Sequence, residues 1–146
     1  MKFRLVIDKT KPEEIIATVH DRSALTEQIE ALVLQYSGSD RIVGYAEDDM
    51  KMLNINQIEC ITVLDGKTWA IDHQGNRFRI KQRLYELEPI LPSTFIRINK
   101  SSLANESYLD RFSVGFGGSV DAVFRCGFRE YVSRRCFAEI KRRYEL

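Results

Sequence analysis

Residues 95–105, FIRINKSSLAN, decide the reading of this chain, together with residues 131–135, YVSRR. The first stretch begins with a near-alternating apolar pattern, Phe95-Ile96-Arg97-Ile98, which predicts a strand. It then turns abruptly polar at Asn99, Lys100, Ser101 and Ser102. A strand that delivers an amide, a cation and two hydroxyls presents groups suited to phosphates and base edges. The second stretch is a short strand, Tyr131-Val132-Ser133, that stops on Arg134 and Arg135. Ser133 is a good N-cap for a following helix. Taken singly, each reads better as a strand entering a solvated loop or a capped surface helix with basic residues. Two such junctions in one basic stretch favour a binding surface.

Outward from these junctions, the charge is uneven. The formal net charge of the 146 residues is +1, yet residues 1–40, 41–94 and 95–146 carry balances of −2, −1 and +4. A nearly neutral chain with a basic last third has the local field to meet a polyanion. Basic C-terminal helices also arise for macrodipole reasons alone. Hydrophobic content of 44% and charged content of 29% are those of an ordinary globular chain, most simply one domain with a small appendage. No apolar run approaches a membrane span and the first residues, MKFRLVIDKTK, have no signal-peptide core. Three cysteines without metal-type spacing read as reduced thiols filling core space in a cytoplasmic protein.

Before the junctions, residues 2–7 (KFRLVI) and 14–19 (EIIATV) read as two strands that could pair as a hairpin. Ser23 then caps a helix on which Leu25, Ile29, Leu32, Val33 and Tyr36 fall at helical spacing, closed by Gly38. Residues 37–40 (SGSD) form the expected boundary between an N-terminal appendage, residues 1–40, and the main domain, residues 41–146. From Arg41 the pattern is short strands and turns: 42–46, 51–53, 58–64, 68–72 and 77–81, with Asp65-Gly66 as a hairpin turn. A short helix is expected over residues 84–91, limited by Pro89 and Pro92. After strand 95–98 come a polar loop, a strand from Tyr108 to Val114, a flexible run 115–119 (GFGGS), strands at 120–126 and 130–133, and a last helix over 135–144. The expected fold class is mostly β, with antiparallel sheets and short flanking helices.

The order of these residues resembles the LytTR DNA-binding domain over residues 41–146. The resemblance rests on Ile58-Glu59, Arg83-Leu84-Tyr85-Glu86-Leu87, Phe95-x-Arg97-x-x-Lys100-Ser101, Asn105 and Val132-Ser133-Arg134-Arg135. It implies a bacterial transcription regulator that reads duplex DNA through loops at strand ends. Carried over by position, Lys67, Asn99, Lys100, Ser101, Arg134 and Arg135 would face the DNA. Asn99 departs from the usual histidine or serine. The resemblance further implies a stand-alone regulator, since the 40 residues ahead of the domain are too few for a receiver. It implies a homodimer on two half-sites and, in some family members, control by a small membrane-protein partner. No cofactor or metal is implied.

An enzyme finds little support. His20 and His73 are the two histidines, and neither sits in a recognisable triad, dyad or metal-ligand pattern. Residues 115–119 lack the Lys-Ser/Thr and helix of a phosphate loop. The remaining alternative is a protein-interaction adaptor on the same fold.

Overall fold

The computed structural model of the chain describes residues 1–37 and 40–145. Helix α1, Ala24–Ser37, leads into ten strands and two further helices. Strands β1 (Arg41–Ala46), β2 (Asp49–Asn54), β3 (Ile58–Leu64), β4 (Lys67–Asp72), β5 (Arg77–Ile80), β6 (Phe95–Asn99) and β7 (Ser102–Asn105) form a seven-stranded antiparallel sheet in the order β2-β1-β5-β4-β3-β7-β6. Strands β8 (Leu109–Val114), β9 (Val120–Phe124) and β10 (Arg129–Val132) form a second, three-stranded antiparallel sheet. Helix α2, Leu84–Leu87, separates β5 from β6, and α3, Arg134–Tyr144, follows β10. Among the described residues, no helix is long and apolar enough to cross a membrane.

The large sheet is apolar on both faces because side chains alternate along each strand. One face carries Ile61, Ala70, Phe78, Ile80 and Leu103, and packs with Leu84 and Leu87 of α2 and Ile42 and Leu53 of the first hairpin. The opposite face carries Cys60, Ile71, Ile98 and Ala104, and packs with Ala122 and Phe124 of the second sheet and Ile140 of α3. The central strand β3 is therefore buried over nearly its whole length, which is why IECITVL reads as a run rather than an alternation. Gly44 lies where β1 passes closest to its neighbours: an added Cβ would stand 2.6 Å from Leu53 Cδ1 and 2.7 Å from Phe78 Cβ.

The antiparallel fold class agrees with the expectation, and four local expectations need correction. Residues 1–23 form no strand and are exposed throughout. A turn does form, with the Lys11 amide donating to the Asp8 carbonyl at 3.4 Å and the Thr10 amide to Asp8 Oδ1 at 2.9 Å. Neither Lys9 nor Thr10 has a positive φ, so this turn lacks the twist that brings two strands into a hairpin. Asp65 (φ 53°) and Gly66 (φ 73°) between β3 and β4 have that twist. The helix expected over 84–91 is one turn, Leu84–Leu87, because Pro89 cannot supply the next amide. The expected polar loop after β6 is instead a tight turn into β7, whose four residues are all buried. Residues 115–119 close on themselves, the Gly115 amide donating to the Ser119 carbonyl at 2.8 Å. Gly38 and part of the proposed boundary lie outside the described residues.

Candidate nucleic-acid interface

Three chain segments carry the expected contact residues: the β3–β4 turn with Lys67, the β6–β7 turn with Lys100 and Ser101, and the start of α3 with Arg134 and Arg135. Backbone hydrogen bonds join them at one end of the sheets. The Val63 amide of β3 donates to the Ser101 carbonyl at 2.9 Å. The Ser133 amide donates to the Ile98 carbonyl of β6, also at 2.9 Å. Thr62 completes the link, its hydroxyl 2.8 Å from that of Ser102 and donating to Glu130 Oε2 at 3.0 Å. The β6–β7 turn is thus tied to β3 on one side and to the β10–α3 junction on the other.

Asn99 is the hinge pin of this arrangement. It is buried, at 6% exposure. Its Nδ2 donates to the Tyr131 carbonyl at 2.6 Å, and its Oδ1 accepts from the Ser101 amide at 2.7 Å. Both ends of the amide are therefore engaged inside the protein. The resemblance would have this side chain face the DNA; here it holds the turn that presents Lys100 against the strand that presents α3.

A second brace comes from Arg97, which the sequence reading used only as a motif residue. Its guanidinium pairs with Glu88 Oε2 at 2.7 Å and donates from Nη1 to the Lys100 carbonyl at 2.7 Å. The turn is held through its backbone while the Lys100 side chain stays exposed. A planar fork with several donors suits this double task better than an ammonium would.

At the third segment, the Ser133 hydroxyl accepts from the Cys136 amide at 3.2 Å, the expected N-cap. Arg134 and Arg135 occupy the first turn of α3 and are exposed. Two cations at a helix N-terminus oppose the macrodipole, and a bound anion would reverse that penalty. Arg135 Nε lies 3.7 Å from Glu139 Oε1, but with 91% of the arginine side chain in solvent this pair is screened and labile. Among the described residues, Lys67, Lys100 and Arg134 have no carboxylate partner. Some other basic residues of the last third are paired: Arg143 with Glu106 at 2.7 Å, and Arg111 with Asp110 at 2.6 Å. Arg134 also lines a groove of about 430 Å³ between α3 and the 115–119 loop, with Tyr131, Phe137 and Lys141.

Burial pushes the Cys60 thiol well above its usual range, and burial with the nearby Glu59 raises Cys126. Both are held as neutral thiols rather than nucleophilic thiolates. Glu59, buried at 1% exposure, accepts from the Cys126 amide at 3.1 Å and so joins the two sheets. Among the described residues, no group of three or more His, Cys, Asp or Glu could hold a metal ion.

Comparison with known proteins agrees with this architecture. A Staphylococcus aureus (strain NCTC 8325 / PS 47) protein, named an uncharacterized HTH-type transcriptional regulator, is 28% identical over 149 residues, spanning 100% of this chain and 99% of the relative. A counterpart of the same description from strain bovine RF122 / ET3-1 is 27% identical over the same span. A solved LytTr DNA-binding domain from Bacillus cereus superposes with a TM-score of 0.65 at 18% identity, covering 73% of this chain and 98% of that one. The relatives' names say helix-turn-helix, yet strands separate each helix from the next in this fold. The model of the LytTr DNA-binding domain matches residues 48–145, and the chain belongs to that family.

Proposed function

We propose that this protein is a transcriptional regulator that binds specific duplex DNA through the three joined segments, with Lys100 and Arg135 reaching base edges in the major groove. Ser101, Lys67 and Arg134 contact the phosphate backbone on either side. Arginine matches guanine O6 and N7 with two donors, and lysine serves either a base acceptor or a phosphate. Asn99 and Arg97 act by positioning. The observation that carries this reading is the pair of backbone hydrogen bonds, Val63 to Ser101 and Ser133 to Ile98. They hold unpaired cations from three segments on one rigid edge, and rigid presentation is what base readout requires. The protein works on this reading as a cytoplasmic homodimer, each copy taking one half-site.

The test is selection of bound sites from random duplex DNA, followed by affinity measurements on the selected site and on scrambled DNA across a salt series. A shared motif in the selected pool and a strong salt slope are expected. Recovery of no motif, with salt-insensitive binding to a protein partner instead, would favour an adaptor.

A further inference from the structure

The chain exposes far more surface than its mass requires. Its accessible area is 10936 Å². A compact monomer of 17.0 kDa has about 7,700 Å². The excess is roughly 3,200 Å². Much of it lies at the N-terminus, where Phe3 is 90% exposed, Leu5 73%, Val6 66% and Ile7 83%. The backbone here is also unused: among the described residues, the amides of residues 2–7 meet no backbone or side-chain acceptor. An extended apolar segment with free amides and carbonyls is a strand lacking a partner.

We infer that the partner is a second copy of the same segment, joined antiparallel across a two-fold axis at Leu5. This deepens the reading of the protein as a homodimer and rests on it. In that register Lys2 stands opposite the partner's Asp8, Phe3 opposite the partner's Ile7, and Leu5 opposite the partner's Leu5. Strand alternation puts Phe3, Leu5 and Ile7 of both copies on one face, a continuous apolar patch. The other face carries Lys2, Arg4, Val6 and Asp8, so each Lys2 meets the partner's Asp8 while Arg4 lies over the partner's Val6. The segment is thus self-complementary in shape and in charge, as an isologous interface must be. Folding back on its own chain through the Asp8–Lys11 turn would instead set Val6 and Leu5 opposite Glu13 and Glu14. The Asp8 carboxylate, held by Thr10 at the end of the segment, marks where the ladder stops.

The experiment uses the full chain. Leu5→Cys under mild oxidation should give a covalent dimer linked at position 5, absent from the unaltered protein. Lys2→Asp should raise the dimer dissociation constant roughly tenfold, since two symmetry-related pairs turn from attraction to repulsion. The double variant Lys2→Asp with Asp8→Lys should recover the original value, an outcome that mere disruption of the segment cannot produce. A dimer in sedimentation that neither cross-links at position 5 nor responds to Lys2→Asp would overturn this interface and leave the homodimer standing. A monomer at every concentration would overturn both.

Discussion

The Ser133 amide donates to the Ile98 carbonyl at 2.9 Å, so the N-cap of α3 is bonded to the strand that leads into Lys100. The two residues flank the same buried amide, Asn99, which ties Tyr131 to Ser101. Anything that loosens this node should move the β6–β7 turn and the start of α3 together.

Asn99→Ala is the direct probe. It leaves the Tyr131 carbonyl and the Ser101 amide without their partner in a half-buried setting, which costs about 1 kcal/mol or more of stability. Chemical denaturation should show that loss, and DNA affinity measured well below the unfolding midpoint should fall as well. Asn99→Asp should recover only the Ser101 contact, since a carboxylate cannot donate to the Tyr131 carbonyl. If Asn99→Ala kept full stability and lost only preference at one base, the side chain would be a reader and not a brace.

The same residue shows where the sequence was legible and where it was not. The strand before Asn99 and the cap at Ser133 follow from local pattern, because alternation and capping act within a few residues. The buried fate of Asn99, Ser102 and Asn105 depends on distant partners: Tyr131, Thr62 and the Ile58 carbonyl. A polar residue satisfied from across the fold looks, in isolation, like a loop residue, and β7 was read as a loop for that reason. The N-terminal strands failed in the opposite way. Their apolar pattern is real, but the turn between them, Asp8–Lys11, lacks the positive φ of a hairpin turn. The cations of the proposed interface were legible as candidates, since Lys100, Arg134 and Arg135 interrupt apolar pattern at element ends. Arg97 was not, because its task is set by Glu88 and by a turn backbone.

Arg97→Gln tests that task. Its pair with Glu88 is half exposed, so loss of the ion pair should change stability by less than about 1 kcal/mol. The freed Lys100 carbonyl should loosen the turn and weaken specific DNA binding severalfold. Glu88→Gln should produce a smaller effect in the same direction, and the double variant should fall short of the sum, as residues in one network do. Equal, additive losses would place Arg97 on the DNA itself.

Gly44 offers a stability test remote from the interface. A methyl group there meets Leu53 and Phe78 inside van der Waals distance. Gly44→Ala should cost about 1–3 kcal/mol through overpacking, read as a lower denaturation midpoint with an unchanged slope. Specific DNA affinity under native conditions should be retained. An unaltered midpoint would mean that β1 and β5 separate at little cost.

Stability should also decline in alkali. The thiol of Cys60 ionises in the unfolded chain near 9.0 but well above that in the native core, chiefly because it is buried. Unfolded molecules therefore release a proton that native ones keep, so this contribution is fully present below about pH 9 and is lost as pH rises above it. Cys126, Tyr108 and Tyr144 are shifted in the same direction. Unfolding free energy measured from pH 7.5 to 10.5 should be flat in this respect at first and then fall, and Cys60→Ala should shallow the fall. A rise in stability across that range would contradict the burial of these groups.

The contacts themselves separate by what they read. Arg135→Ala should cost about 1–3 kcal/mol on the selected site and relax preference at one base position. Arg134→Ala should weaken binding to selected and scrambled DNA alike and reduce the salt slope by about one. Lys67→Ala should behave as Arg134→Ala does, and Lys100→Ala as Arg135→Ala does. None of the four should unfold the domain, since all four side chains are exposed and only Arg135 has even a labile ion pair. Removing either arginine should leave the helix intact or slightly firmer, because each is a cation at the positive end of α3. That sign is informative: a residue that opposes its own helix in the free protein and is needed on DNA is kept for the ligand. If Arg135→Ala lost affinity equally on both DNAs, it would be a phosphate contact. Full affinity in all four variants would move the interface off this edge.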